Sequence, residues 1–118
     1  MTGTRDLDII RHVATYCSQI ETAHMDFGHD KEKFLHSTTY QNAVCMCILQ
    51  IGELVGKLTE DFKSCHADIP WRQIRGMRNF VAHEYGSLDP DVVWYTANEG
   101  IAELKAFCEK MNHSTELS

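Results

Sequence analysis

The stretch from Ser37 or Thr38 to about Lys63 most constrains the fold, because its apolar residues recur at the spacing of a helix and cover most of its circumference. One face carries Val44, Ile48, Ile51, Val55, Leu58 and Phe62, and Met46, Leu49 and Leu54 add apolar surface on the other side. A helix that is apolar on most sides must be covered on most sides. We expect this helix at the seam of a homodimer, the alternative being ordinary burial inside one bundle.

Two glycines, Gly52 and Gly56, lie four residues apart on one side of this helix. Each costs roughly 1 kcal/mol of helix propensity relative to alanine. We expect them to allow a close approach of another backbone.

Three further helices are predicted around this one from helix periodicity and from caps. Their bounds are Thr4 to Phe27, ended by Gly28; Asp68 and Pro70 to about Glu84, ended by Gly86; and Asp89-Pro90 to about Met111. One short turn is expected around Phe34, and no β-periodic run competes. The sequence predicts an all-α fold, an antiparallel bundle of four to five helices. It is expected to form a single domain over residues 1–118, with roughly the last six residues loosely ordered.

Neither a membrane segment nor a metal site is indicated by the composition. The longest apolar run, residues 43–49, is too short to cross a bilayer, and acidic residues interrupt the N-terminus where a signal peptide would be basic and then apolar. The cysteines number five, without a C-x-x-C pair, and the histidines lack H-x-x-x-H spacing. We expect a cytoplasmic protein with reduced, buried cysteines, no metal and no cofactor.

Charge is distributed unevenly along the chain. The whole chain carries −6, yet residues 63–84 carry +2, so the remainder carries −8. The charged residues of that segment are Lys63, Arg72, Arg75 and Arg78 against Asp68 and Glu84. Overall acidity disfavours non-specific binding to nucleic acid, whereas a local basic strip suits a small, defined anionic site.

Arg78 occupies an unusual position in the third predicted helix. At about 100° per residue, it falls within the arc formed by the apolar residues Trp71, Ile74, Met77, Val81 and Tyr85. A guanidinium cannot lose its proton, so it needs a carboxylate, several carbonyls or a bound anion there. The structural alternative is that Arg78 pairs with Glu53 while His83 is an ordinary interior histidine.

Asn79 and His83 are neighbours on the adjoining face, with Arg75 between the two faces. We expect the long Arg78 side chain to reach toward His83. A guanidinium, an amide and an imidazole suit cleavage of RNA, whose 2′-hydroxyl is an internal nucleophile. Histidine exchanges protons near neutral pH, and arginine stabilises charge that builds on the phosphorus oxygens.

The segment "PWRQIRGMRNFVAHEYG", together with "IGE" in the preceding helix, resembles the HepT-like family of the HEPN superfamily. The matching motif positions are Trp71, Ile74, Gly76, Arg78, Asn79, His83 and Tyr85, joined by Ile51, Gly52 and Glu53. The likeness extends loosely over nearly the whole chain.

This resemblance implies a dimer that brings two R-x-x-x-x-H motifs into one cleft, and a metal-independent endoribonuclease toxin that cleaves RNA. Arg78 and His83 would be catalytic, with Asn79, Arg75 and Glu53 supporting them. The implied partner is an MntA-like nucleotidyltransferase antitoxin, which would transfer AMP to Tyr85. The alternative is an inactive HEPN domain that binds a nucleotide or phosphate, or only docks the nucleotidyltransferase.

Overall fold

A computed structural model describes residues 4–84 and 89–117 of the chain. All regular structure within these ranges is helical, which confirms the predicted all-α bundle. The helices are α1 Thr4–Asp26, α2 Lys31–His36, α3 Thr38–Val55, α4 Glu60–Cys65, α5 Trp71–Glu84 and α6 Pro90–Leu117.

Helix α3 lies at the centre of the bundle, packed against α1 on one side and α5 on another, while α6 packs mainly on α1. Its predicted core face is buried, with Ile51 fully shielded and Val55 nearly so. The second apolar face is partly open, since Met46 is 56% exposed and Leu49 is half-buried. One face of α3 therefore builds the core, and the other reaches the surface.

The predicted helix from about Thr38 to Lys63 is wrong in one respect: it is two helices with a break at residues 56–59. Gly56 caps the end of α3, and the Thr59 hydroxyl accepts a hydrogen bond from the amide of Phe62 at the start of α4. The buried Asp6 carboxylate accepts from the Thr59 amide at 2.9 Å and from its hydroxyl at 2.7 Å. The break is thus held by a side chain of α1.

The connection after α1 follows the predicted pattern. Gly28 adopts a left-handed φ of 73°, so it ends the helix just after Asp26. The expected short turn is α2, whose N-terminal amides donate to the Asp30 carboxylate and whose Phe34 is fully buried. This arrangement lets α2 cover the bundle between α3 and α6.

Helix α5 begins directly after Pro70 and ends at Glu84, as predicted. Its first side chain is fixed, because the Trp71 indole donates to the His66 carbonyl at 3.0 Å. Helix α6 begins at Pro90 as expected but runs to Leu117, beyond the predicted end near Met111. The predicted cap Gly86 lies outside the described residues.

All five cysteines are free thiols; four are buried as expected, whereas Cys65 is exposed, contrary to the expectation. Burial raises the pKa of Cys17 and of Cys108 to about 12, and that of Cys45 to about 11. These thiols stay protonated at neutral pH and act as small apolar side chains. Among the described helices, none is long and apolar enough to span a membrane.

Candidate active site

The close packing of α3 against α5 positions the first candidate residue, Arg78. A Cβ atom built on Gly52 would lie 2.0 Å from the Arg78 Cβ and 3.3 Å from its Cα. Only a glycine leaves room for this approach, because real Cβ atoms do not come so near another backbone. The expected close approach of a backbone is seen at Gly52, and α5 of the same chain is the element that makes it; at Gly56 the neighbour is a side chain, that of Arg75.

The Arg78 guanidinium is partly buried and paired. Its Nε lies 2.5 Å from Glu53 Oε1, an ion pair in which the N–H does not point at the oxygen. Its Nη1 donates to Asn79 Oδ1 at 3.1 Å. The requirement for a carboxylate partner is therefore met by Glu53, as the structural alternative anticipated.

Arg75 is a second cation beside the same carboxylate. Its Nη1 donates to the Gly52 carbonyl at 3.1 Å and lies 3.9 Å from Glu53 Oε1. A Cβ on Gly56 would lie 2.5 Å from that same Nη1, so the second glycine makes room for the guanidinium. Two arginines surrounding one carboxylate leave an excess of one positive charge at this point.

His83 lies in the last turn of α5 with its side chain exposed, and Asn79 is exposed one turn earlier. His83 follows Arg78 by five positions along the helix, which corresponds to a rotation of about 140° and a rise of about 7.5 Å. Among the described side chains, no hydrogen bond joins them, because Arg78 turns toward Glu53 and Asn79. The expected reach of Arg78 toward His83 is not seen.

Two surface grooves border these residues. The α3–α5 groove is lined by Met46, Leu49, Gln50, Glu53, Arg78 and Ala82. The basic groove, on the side of α5 that faces α4, is lined by Glu60, Lys63, Trp71, Arg72, Arg75 and Asn79. Its three cations outnumber its single carboxylate, so it is the part of this surface that best suits an anion.

Lys63 and Arg72 were not singled out from the sequence as site residues, although they belong to the segment with excess positive charge. That charge excess was the feature of the sequence that could have identified them. The sequence did not reveal the turn between α4 and α5, which brings Lys63 to the same groove as Arg72 and Arg75.

Within residues 4–84 and 89–117, no three histidine, cysteine, aspartate or glutamate side chains are placed so that they could share a metal ion. The predicted modification site, Tyr85, lies outside the described residues, directly after the end of α5. The described site therefore consists of Arg75, Arg78, Asn79 and His83 on α5 and Glu53 on α3.

Comparison with known proteins gives a consistent result. A model of the protein family described as "Ribonuclease HepT-like" matches residues 8–111, which include every candidate site residue. A protein of Thermococcus cleftensis named as a probable ribonuclease HepT is 39% identical over 80 residues, covering 68% of this chain and 73% of that protein.

A protein of Methanocaldococcus jannaschii, named as a candidate RNase, is 35% identical over 82 residues. The alignment covers 70% of this chain and 71% of that protein. A bacterial relative from Caldanaerobacter subterraneus, named in the same way, is 32% identical over 78 residues and covers 66% of this chain and 70% of its own length. No solved structure matches the chain.

Proposed function

The chain belongs to the HepT-like ribonuclease family, and on this premise we propose that it is an endoribonuclease in which Arg78 and His83 are catalytic. The observation that carries the proposal is the placement of a held arginine and an exposed histidine on one helix. Arg78 is fixed by Glu53 and by the close packing at Gly52, while His83 is free to meet a ligand.

The reaction needs little from the protein, because RNA supplies the nucleophile. The 2′-oxygen attacks phosphorus as a base removes its proton, and the bond from phosphorus to the 5′-oxygen breaks as an acid protonates that oxygen. The products are a 2′,3′-cyclic phosphate and a 5′-hydroxyl. His83 exchanges the protons, and the guanidinium stabilises the negative oxygens on phosphorus.

The hydrogen-bond and ion-pair partners of Arg78 orient its guanidinium for binding a phosphate. Glu53 and Asn79 fix the guanidinium, so little conformational entropy is lost when a phosphate binds. Arg75 keeps the local charge positive even though Glu53 is present. Asn79, which accepts from Arg78, can turn its amide donor toward a phosphate or sugar oxygen.

A homodimer completes the site in this proposal. One chain offers a single His83, whereas in-line cleavage uses a base and an acid on opposite sides of phosphorus. The open part of α3, with Met46 exposed and Leu49 half-buried, borders the α3–α5 groove and Arg78. Pairing two copies across this surface would cover it and bring two arginine–histidine pairs together.

Sedimentation across a dilution series tests the dimer. Leu49→Glu places a charge on the proposed seam and should shift the protein toward monomer, whereas Lys110→Glu on α6 should not. A parent protein that sediments as a monomer at micromolar concentration would contradict the dimer.

The antitoxin part of the proposal concerns Tyr85, two residues after His83. We propose that an MntA-like nucleotidyltransferase adds AMP to this tyrosine and so makes the pair a toxin–antitoxin system. An adenylate next to His83 would bring a negative charge and a purine into the path of the substrate.

A second candidate function is binding of a nucleotide or phosphate without cleavage. The basic groove favours it, since Lys63, Arg72 and Arg75 line one concave surface. A passive phosphate site, however, does not require an exposed histidine on the same helix as the arginine.

Incubating the purified protein with RNA and EDTA separates these candidates and tests metal independence. The enzyme proposal expects cleavage with cyclic phosphate ends, and loss of cleavage in Arg78→Ala and in His83→Ala. Binding of RNA with no cleavage, with or without divalent ions, would favour the passive alternative.

A further inference from the structure

A second concave surface borders α5 on the flank that faces α6. Because α5 packs mainly on α3 and α6 mainly on α1, a gap remains between α5 and α6, with Ile48 of α3 lining it. This apolar groove has a volume of about 260 Å³ and is lined by Ile48, Gly76, Met77, Phe80, Val92 and Val93. That size suits a fragment smaller than most whole ligands, such as one planar ring system.

Phe80 is the notable residue of the apolar groove. It is 47% exposed, although it stands on a helix whose other outward residues are largely polar. On α5 it lies one residue after Asn79 and one turn before His83. Val92 across the groove is 48% exposed, so the apolar walls are open to a ligand.

The apolar groove and the basic groove meet at Gly76, which lines both. A Cβ atom built there would meet nothing within 4 Å, so the space over this glycine is open. Glycine within a helix costs roughly 1 kcal/mol relative to alanine, and no crowding at Gly76 requires it. Because Gly76 has no side chain, a shallow passage joins the two grooves at this point.

We propose that the apolar groove receives one unpaired base of an RNA strand whose phosphates lie in the basic groove, which makes single-stranded RNA the ligand. Charge complementarity selects RNA over an apolar partner, because Lys63, Arg72 and Arg75 adjoin the groove across Gly76. Proteins that bind single strands combine a cationic track with aromatic rings on which bases stack. Phe80 is the ring, and the strand crosses α5 at Gly76, about two helical turns before His83 on the same face.

The inference rests on the proposed function for the nature of the ligand, but its test does not depend on cleavage. The probe is a short, labelled, single-stranded 2′-O-methyl RNA, which lacks the nucleophilic hydroxyl. Fluorescence anisotropy gives its Kd for the parent and for variants, and circular dichroism checks folding.

Phe80→Ala should weaken binding by roughly 5- to 150-fold, as alanine substitution at stacking positions generally does. Phe80→Trp should restore it, because the ring is kept. Tyr95→Ala is the matched control, since Tyr95 is 66% exposed on α6 but lines neither groove. Gly76→Leu should also weaken binding by filling this passage between the grooves, whereas Gly100→Leu, at an equally uncrowded glycine on α6, should not.

The phosphate track has its own readout. Arg72→Gln should reduce the slope of log K against log salt concentration by about 0.7, the value for one phosphate on a single strand. Lys110→Gln is the control, and a perfect duplex of the same sequence should bind more weakly than the single strand.

The proposal is overturned if Phe80→Ala keeps the parental Kd, or if the duplex binds as tightly as the single strand. It is also overturned if Phe80→Ala only weakens self-association in sedimentation, which would mean that a second copy covers the groove. A chain that binds the probe through Phe80 but never cleaves unmodified RNA refutes the proposed enzyme and supports the base site.

Discussion

Gly52 on α3 lies so close to Arg78 on α5 that no side chain fits at position 52. A Cβ atom built there would lie 2.0 Å from the Cβ of Arg78. The glycine thereby sets how closely the arginine approaches the neighbouring carboxylate of Glu53. The I-G-E segment of α3 and the R-N-x-x-x-H segment of α5 form one packing unit in which the first makes room for the second.

Gly52→Ala should therefore destabilise the fold and misplace Arg78. The added methyl meets both the side chain and the backbone of α5, and overpacking of this kind costs about 1–3 kcal/mol. The gain in helix propensity, roughly 1 kcal/mol, offsets only part of it. Urea unfolding followed by circular dichroism measures the change.

Gly76→Ala is the matched control for that measurement, since nothing lies within 4 Å of its Cβ position. It should stabilise the protein by up to about 1 kcal/mol. Equal stability of the parent and Gly52→Ala would show that α5 does not pack as closely as described.

His83→Ala should slow RNA cleavage by about a hundredfold or more, the usual contribution of a general acid or base. Its exposed side chain contributes little to packing, so the unfolding midpoint should stay near that of the parent. His36→Ala provides the comparison, because His36 is also exposed but lies on α2. Unchanged cleavage by His83→Ala would remove the catalytic assignment.

Stability should fall as the pH drops below neutrality because of His24, which is buried between Tyr40, Trp94 and the stacked ring of His29. Burial first, and then the charge of His29, lower the pKa of His24 below its ordinary 6.5; Glu21 opposes this. The unfolded chain then takes up a proton before the folded one does.

The contribution of His24 to stability is thus fully present above pH 6.5 and is lost as the pH falls toward its folded-state pKa. The slope is at most about 1.4 kcal/mol per pH unit for one proton. Urea midpoints between pH 8 and 5 measure it, with His36→Gln as a control that should keep the slope. A midpoint independent of pH would contradict this account.

Local signals predicted most of the helices. The end of α1 is marked by Gly28, and the starts of α5 and α6 are marked by Pro70 and by Asp89-Pro90. These signals depend only on neighbouring residues, so they can be recognised in the sequence. The break at residues 56–59 was missed because Leu58 within it and Phe62 after it are both buried and preserve the apolar period. The threonine–acid pair at the start of α4 was the available signal.

Distant partners were harder to predict. The buried Asp6 carboxylate accepts hydrogen bonds from Thr59, which is 53 residues away in the sequence. No local sequence pattern predicts such a pair. Arg78 was different, because a guanidinium within an apolar arc demands a partner and Glu53 could be named in advance. The apolar groove at Phe80 depends on the gap between α5 and α6, which helix periodicity does not describe.

The last prediction concerns control at Tyr85. Tyr85→Phe keeps the ring but removes the acceptor oxygen, so the variant should fold, cleave RNA as fast as the parent, and escape the nucleotidyltransferase. Under the proposed control, an adenylate on the parent would add a phosphodiester charge of about −1 two residues after His83, and this charge would compete with the substrate phosphate. Intact-mass measurement after incubation with the MntA-like enzyme and ATP should show AMP on the parent only. Addition of AMP to Tyr85→Phe at the parental rate would exclude Tyr85 as the site, while loss of cleavage in this variant would make the tyrosine part of the catalytic machinery instead.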